Sequence, residues 1–192
     1  MQRIRRALID LRRGEPVHLD DPAGGMLVIA LENLSEALLA RARRLASGAP
    51  YLLMTRHRAE AIGMAVRGGH DLAMPLTGDR AVEQAISLAA DNESPADDPG
   101  HHAAAPNEQA ALNLARQATL LPALVALRTQ PDDRRLEAAI ESGELLSVGI
   151  RDIQTAAIEN ARQPERISEA RVPLADAEQS RFILYREADG LL

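Results

Sequence analysis

The chain has 192 residues with a formal charge of −6, 46% hydrophobic and 26% charged residues, enough for one ordinary domain with a sizeable core and too apolar for a disordered chain. It has no cysteine, which removes disulfides, thiolate nucleophiles and sulfur-ligated zinc. The acidic balance, with Tyr51, Phe182 and Tyr185 as the only aromatic side chains, argues against nucleic acid, which needs cations for its phosphates and rings for its exposed bases.

The N-terminal MQRIRRALIDLRRG carries charges throughout and no apolar export segment, and no run in the chain approaches the roughly 20 apolar residues that cross a bilayer. A cytoplasmic protein with no membrane partner is the expectation. Within residues 2–13, Ile4, Ala7, Leu8 and Leu11 share one helical face, Arg3, Arg5, Arg6, Arg12 and Arg13 take the wet side, and Gly14 is the stop. PVHL at 16–19 and MLVIAL at 26–31 are β-prone runs separated by the turn formers of DDPAGG, which predicts a hairpin-like pair. Asn33 or Ser35 caps the next helix, LSEALLARARRLAS, ended by Gly48 and Pro50. YLLM at 51–54 reads as a strand, and Thr55 caps a short helix over RHRAEAIGM. DLAMPL at 71–76 is a weaker strand because Pro75 has no ladder donor, and Asp79 opens a helix with Val82, Ala85, Ile86 and Ala89 in register.

DNESPADDPGHHAAAP at 91–106, acidic and rich in Pro and small residues, is read as an exposed loop. Asn107 caps a helix with Ala111, Leu114, Ala118 and Leu121 in register, Pro122 ends it, and ALVAL is a buried strand. Asp132 caps LEAAIES, Gly143 stops it, LLSVGI is a strand and IRDIQTAAIENA a helix. Beyond Arg162 the period is lost: QPERISEARVPLADAEQS has none, and RFILYRE at 181–187 reads as an isolated strand. Strands interleaved with helices predict an α+β fold, a three-layer α-β-α sandwich with a mixed sheet over residues 1–162, followed by a separate tail at 163–192.

Gly14, Glu15, Pro16 and Val17, followed by Asp20 and Asp21, begin a series of familiar segments. MLVIALENLSEALL, LLMTRHRAEAIGM, TGDRA at 77–81, DPGHHAAA, NEQAALNLARQATLLPALVAL and LLSVGIRDI follow in the same order. Over residues 1–162 the chain therefore resembles 3,4-dihydroxy-2-butanone 4-phosphate synthase, a riboflavin-pathway enzyme that converts ribulose 5-phosphate into a four-carbon phosphate and formate. The tail, RISEARVPLADAEQSRFILYRE, resembles the beginning of a GTP cyclohydrolase II domain, which follows the synthase in bifunctional riboflavin proteins. The resemblance implies a dimer with sites near the subunit boundary, and magnesium held by oxygen ligands beside a general base.

The sequence departs from that family where the chemistry should be. The acidic loop, Asp-x-Arg-Glu-Asn-Glu-Gly-Asp in the family, is reduced here to Asp20, Asp21, Pro22, Ala23, Gly24 and Gly25. In the His-Thr-Glu motif, Asn107 stands for the His, Glu108 for the Thr and Gln109 for the Glu, and an amide is no general base at neutral pH. The family's middle segment is also shortened between Met64 and Asp79. The residual phosphate or cation contacts that the resemblance implies are Asp20, Asp21, Asp79, Arg80 and Glu108. Each also has an ordinary role: Asp20 and Asp21 as turn formers, Asp79 as a cap beside exposed Arg80, and Glu108 as a first-turn carboxylate favoured by the helix dipole. His101 and His102 read as solvated loop residues, His57 and His70 as dispersed single ones, and His18 as an outward-facing strand residue, so no metal site is assigned.

The expectation is a degenerate, non-catalytic pseudoenzyme module that binds no cofactor. It would serve as scaffold and homodimerisation partner for a GTP cyclohydrolase II region in cis or in trans. One alternative is a divergent active synthase holding magnesium and ribulose 5-phosphate on Asp20, Asp21 and Glu108. The other is a sugar-phosphate-binding regulatory module around Arg80.

Overall fold

The computed structural model describes residues 2–22, 24–64, 68–90, 100–162 and 165–186. Helix α1 (Gln2–Arg12) forms on the expected stripe, and Ile4, Ala7, Leu8 and Leu11 are all buried. Gly14 leaves it at φ +81°, where a Cβ would stand 2.7 Å from the Cβ of Asn33, so both conformation and space select glycine. Strands β1 (Val17–Asp20) and β2 (Met26–Ala30) pair antiparallel in the register Val17↔Val28, His18↔Leu27 and Leu19↔Met26, as the turn residues between them predict. Ser35, rather than Asn33, caps α2 (Glu36–Leu45) by accepting the Leu38 N–H. β3 (Tyr51–Met54) and α3 (Arg56–Ala61) follow, with Thr55 as the cap. β4 (Leu72–Pro75) puts Pro75 at its end, opposite Tyr51.

Several helix ends differ from expectation for local reasons. α4 (Ala81–Ala90) begins after Arg80, whose carbonyl accepts the Gln84 N–H at 2.9 Å, leaving Asp79 in the preceding turn. α5 (Pro106–Gln117) starts at a proline, whose fixed φ suits the first helical position, so Ala105 is the cap and Asn107 lies inside the first turn. It ends before Pro122, because the Arg12 guanidinium crosses from α1 to take the Ala118 carbonyl at 2.7 Å and Thr119 turns to φ +53°. α6 (Arg134–Glu141) is capped by Asp133, not Asp132, through the Arg135 N–H at 2.9 Å. Part of the segment read as an exposed loop is a short edge strand, β5 (His102–Ala103), paired with β4; residues 91–99 lie outside the described residues.

With β6 (Ala123–Arg128) and β7 (Leu146–Gly149), the strands form one sheet in the order β5-β4-β3-β6-β2-β1-β7. Every pairing is antiparallel except β1 with β7, which makes the sheet mixed. Leu27, Ile29, Leu52, Met54, Val125 and Leu127 point from one face into the core under α2, α3, α4 and α6. Alternation turns Val28, Leu53 and Leu124 to the other face, where α1 packs on β1, β2 and β7 and α5 packs on β3 and β6. The architecture is the α+β sandwich with helices on both faces of a mixed sheet that the sequence predicts.

The chain divides into two units, residues 1–153 and 154–192, with α7 (Ile150–Arg162) running across the division. In the second unit, β9 (Arg181–Arg186) is not isolated: it pairs antiparallel with β8 (Glu165–Arg171). An irregularity in register between Arg166 and Ser168 interrupts the two-residue alternation, which is why β8 has no visible period in the sequence. Phe182 and Leu184 lie opposite Ala170 and Ser168 on one face of this ribbon; Glu169 pairs with Arg166 and Arg181 on the other. Among the described residues no helix is long and apolar enough to cross a membrane.

Candidate functional site

β1 ends at Asp20 beside β7, and a cleft of about 340 Å³ opens between the loop that follows β1, the segment that follows β6, and α6. Leu136 and Ile140 give it an apolar wall. Asp20, Asp21, Asp132, Asp133 and Glu137 give it carboxylates, and among the described residues no arginine or lysine lines it. The Asp133 carboxyl is held below the usual range chiefly by the backbone N–H of Arg135.

His18 lines the same cleft and is only 6% exposed, contrary to an outward-facing reading. Strict alternation sends a residue between Val17 and Leu19 away from their face, but in a three-layer sandwich that second face is covered too. Its Nδ1 is 2.9 Å from Ser147 Oγ and its Nε2 is 3.2 Å from Thr129 Oγ1. Burial lowers the imidazole below its ordinary value of 6.5, while neighbouring Asp20 pulls in the opposite direction. A Cβ at Gly25 would lie 2.7 Å from both His18 Nε2 and Thr129 Oγ1, so glycine is what lets the loop close over this pair.

The start of α5 is built differently. Glu108 is fully buried; its Oε2 accepts the Ala105 N–H at 2.8 Å and its Oε1 accepts from Arg128 Nη2 at 3.0 Å. The Arg128 guanidinium lies 5.5 Å from the centre of the Tyr51 ring. Burial, reinforced by the nearby Glu108 charge, pushes the Tyr51 hydroxyl well above its usual pKa. Asn107 donates to the Gly24 carbonyl at 3.4 Å and accepts the Glu108 N–H at 2.9 Å, while Gln109 donates to the Ala104 carbonyl at 3.1 Å. All three side chains at the helix start are engaged with the protein itself.

Of the residues nominated from the sequence, Asp20 and Asp21 share the cleft, while Glu108, Asp79 and Arg80 lie outside its lining. Arg80 pairs with Glu83 on the surface of α4. Asp132, Asp133 and Glu137 are cleft residues that the sequence did not nominate, and so are His18, Thr129 and Ser147, which no residue-type motif joins because the fold alone brings them together. Magnesium takes about six oxygen ligands in octahedral array. The donor set here does not fit that demand: both Glu108 oxygens are occupied, Asn107 is turned to backbone, and among the described residues no three His, Asp or Glu side chains converge as a metal set.

The mixed sheet with helices on both faces matches the fold of solved 3,4-dihydroxy-2-butanone 4-phosphate synthases. The chain is similar to RibBX, a two domain synthase of that kind from A. baumannii, with a TM-score of 0.63, 22% identity, and coverage of 96% of this chain and 66% of that one. It is similar to the Candida albicans synthase with a TM-score of 0.59, 24% identity, and coverage of 79% and 95%. A further synthase, solved in complex with two magnesium ions, gives a TM-score of 0.59 at 20% identity, covering 82% of this chain and 97% of that one. In sequence the chain is similar to GTP cyclohydrolase-2 of Azospirillum brasilense, 34% identical over 203 residues, which is 99% of this chain and 51% of that protein. The chain thus spans about half the length of that relative. No protein-family model matches it.

Proposed function

We propose that residues 1–162 are a synthase-like domain of a riboflavin-biosynthesis protein whose own catalytic site has been given up, and that residues 163–192 are a linker and the start of a GTP cyclohydrolase II-like region. The domain acts as scaffold and homodimerisation partner for GTP cyclohydrolase II, in cis or in trans. The observation that carries this reading is the start of α5: Gln109 stands where the family has its Glu and is turned to the Ala104 carbonyl, and the one carboxylate beside it, Glu108 at the Thr position, is buried, accepts the Ala105 N–H and pairs with Arg128. The amides of Asn107 and Gln109 supply no base beside it. Similarity to a GTP cyclohydrolase-2 supports the choice of partner.

A divergent synthase is the alternative, and charge weighs against it. The cleft that holds Asp20 and Asp21 gathers three more carboxylates, Asp132, Asp133 and Glu137, and repels the phosphate of a sugar phosphate. The test is to incubate the purified chain with ribulose 5-phosphate and magnesium and to assay formate. Formate at the protein-free level is expected; formate that disappears in Asp21→Asn would overturn the pseudoenzyme reading. The partnership is tested separately by size exclusion with a GTP cyclohydrolase II, where co-elution is expected and independent elution counts against it.

A further inference from the structure

His18 and Ser147 are register partners across the one parallel pairing of the sheet, so their side chains leave the same face, and Ser147 Oγ lies 2.9 Å from His18 Nδ1. A neutral imidazole carries one N–H. With that proton on Nε2, His18 donates to Thr129 Oγ1, 3.2 Å away, and Nδ1 is left to accept the Ser147 proton. Gly25 closes over the His18–Thr129 contact and fixes the ring. Burial holds the ring in its neutral, proton-accepting form, and Asp20, two residues along the same strand, offsets part of the burial cost when a proton arrives.

While His18 is buried, Ser147 is only partly so. It lines the acidic cleft and also a second hollow of about 410 Å³ that carries Arg3 and Arg6. Its side chain leaves the sheet on the His18 side, where the acidic cleft opens. A hydroxyl within hydrogen-bond reach of a base, the base held by a third group, and an open cleft beside them together make an activated nucleophile.

We propose that Ser147 is a nucleophile activated by His18, and that small uncharged carboxylic esters reach it through the acidic cleft, whose carboxylates repel anions. Ser147 Oγ attacks the ester carbonyl carbon as its proton passes to His18 Nδ1. The bond from that carbon to the alkoxy oxygen breaks, and the alcohol leaves with the proton from His18. Water then gives a proton to His18 and attacks acyl-Ser147, the carboxylic acid departs, and the proton returns to Ser147 Oγ. This chemistry shares no step with a synthase and stands whether or not the scaffold reading does.

The test uses a fluorophosphonate probe on the whole chain, with the labelled peptides read by mass spectrometry. Ser147 should be labelled on the order of 100-fold faster than exposed Ser87 on α4 in the same molecule, the acceleration that a positioned base supplies. In Ser147→Ala that adduct and the initial burst of p-nitrophenol from p-nitrophenyl acetate should both be absent. His18→Gln should bring the Ser147 labelling rate down to that of Ser87. Equal labelling of Ser147 and Ser87 in the native chain overturns the proposal without recourse to any variant, and so does undiminished Ser147 labelling in a folded His18→Gln protein.

Discussion

The start of α5 and the end of β1 are the two places where the synthase resemblance looks for carboxylates, and they use them in opposite ways. At α5, Glu108 is buried and fully engaged by the Ala105 N–H and Arg128. At β1, Asp20 and Asp21 stand in an open cleft with three further carboxylates and no lining cation among the described residues. The same chemical group is a structural support in one place and an electrostatic wall in the other. What separates them is burial: a desolvated carboxylate has to be matched by donors, and once matched it is no longer available for chemistry.

Substitutions should divide along the same line. Glu108→Ala removes an acceptor from the Ala105 N–H and from Arg128 and leaves a void; a loss of about 3 kcal/mol in denaturant unfolding is expected. Glu108→Gln, whose amide oxygen still accepts the Ala105 N–H, should lose only about 1 kcal/mol. A Glu108→Ala protein as stable as the native chain would erase the contrast between the two regions. Gly25→Ala drives a methyl group toward His18 Nε2 and Thr129 Oγ1 and should lose about 1–2 kcal/mol.

His18 provides a pH signature that neither set of carboxylates reproduces. Its folded-state pKa lies below the ordinary 6.5, so the unfolded chain binds its proton first. The stability associated with the neutral ring is therefore full above pH 6.5 and declines as the pH falls from there through the folded value. Thermal unfolding from pH 8 to 5 should show the native chain losing more stability on acidification than His18→Gln; parallel curves would place the ring in solvent. The smallest effects belong to the cleft: Asp20→Asn and Asp21→Asn should change stability by no more than about 0.5 kcal/mol, since relieved repulsion offsets whatever turn contacts are lost.

Much of the fold was legible because apolar spacing dictates it: the α1 stripe, the β1–β2 pair and the buried runs of β3 and β6 stand where the sequence puts them. Helix starts were off by a residue or two wherever a competing feature won, such as Pro106 taking the first helical position or Asp133 in place of Asp132. β8 was hidden by its register irregularity, and His18 by reading alternation as if only one sheet face were covered. At the cleft, Asp20 and Asp21 stand where the resemblance points while Glu108 lies outside the lining, and the His18–Thr129–Ser147 cluster joins residues 111 and 129 positions apart in the chain, which no local pattern reports.

The most direct measurement is a calorimetric titration of the purified chain with magnesium and ribulose 5-phosphate, paired with thermal unfolding in the same mixture. With the α5 carboxylate consumed and the cleft repelling phosphate, neither saturable heat nor a rise in Tm is expected. Saturable binding that raises Tm and is lost in Asp21→Asn would contradict the account.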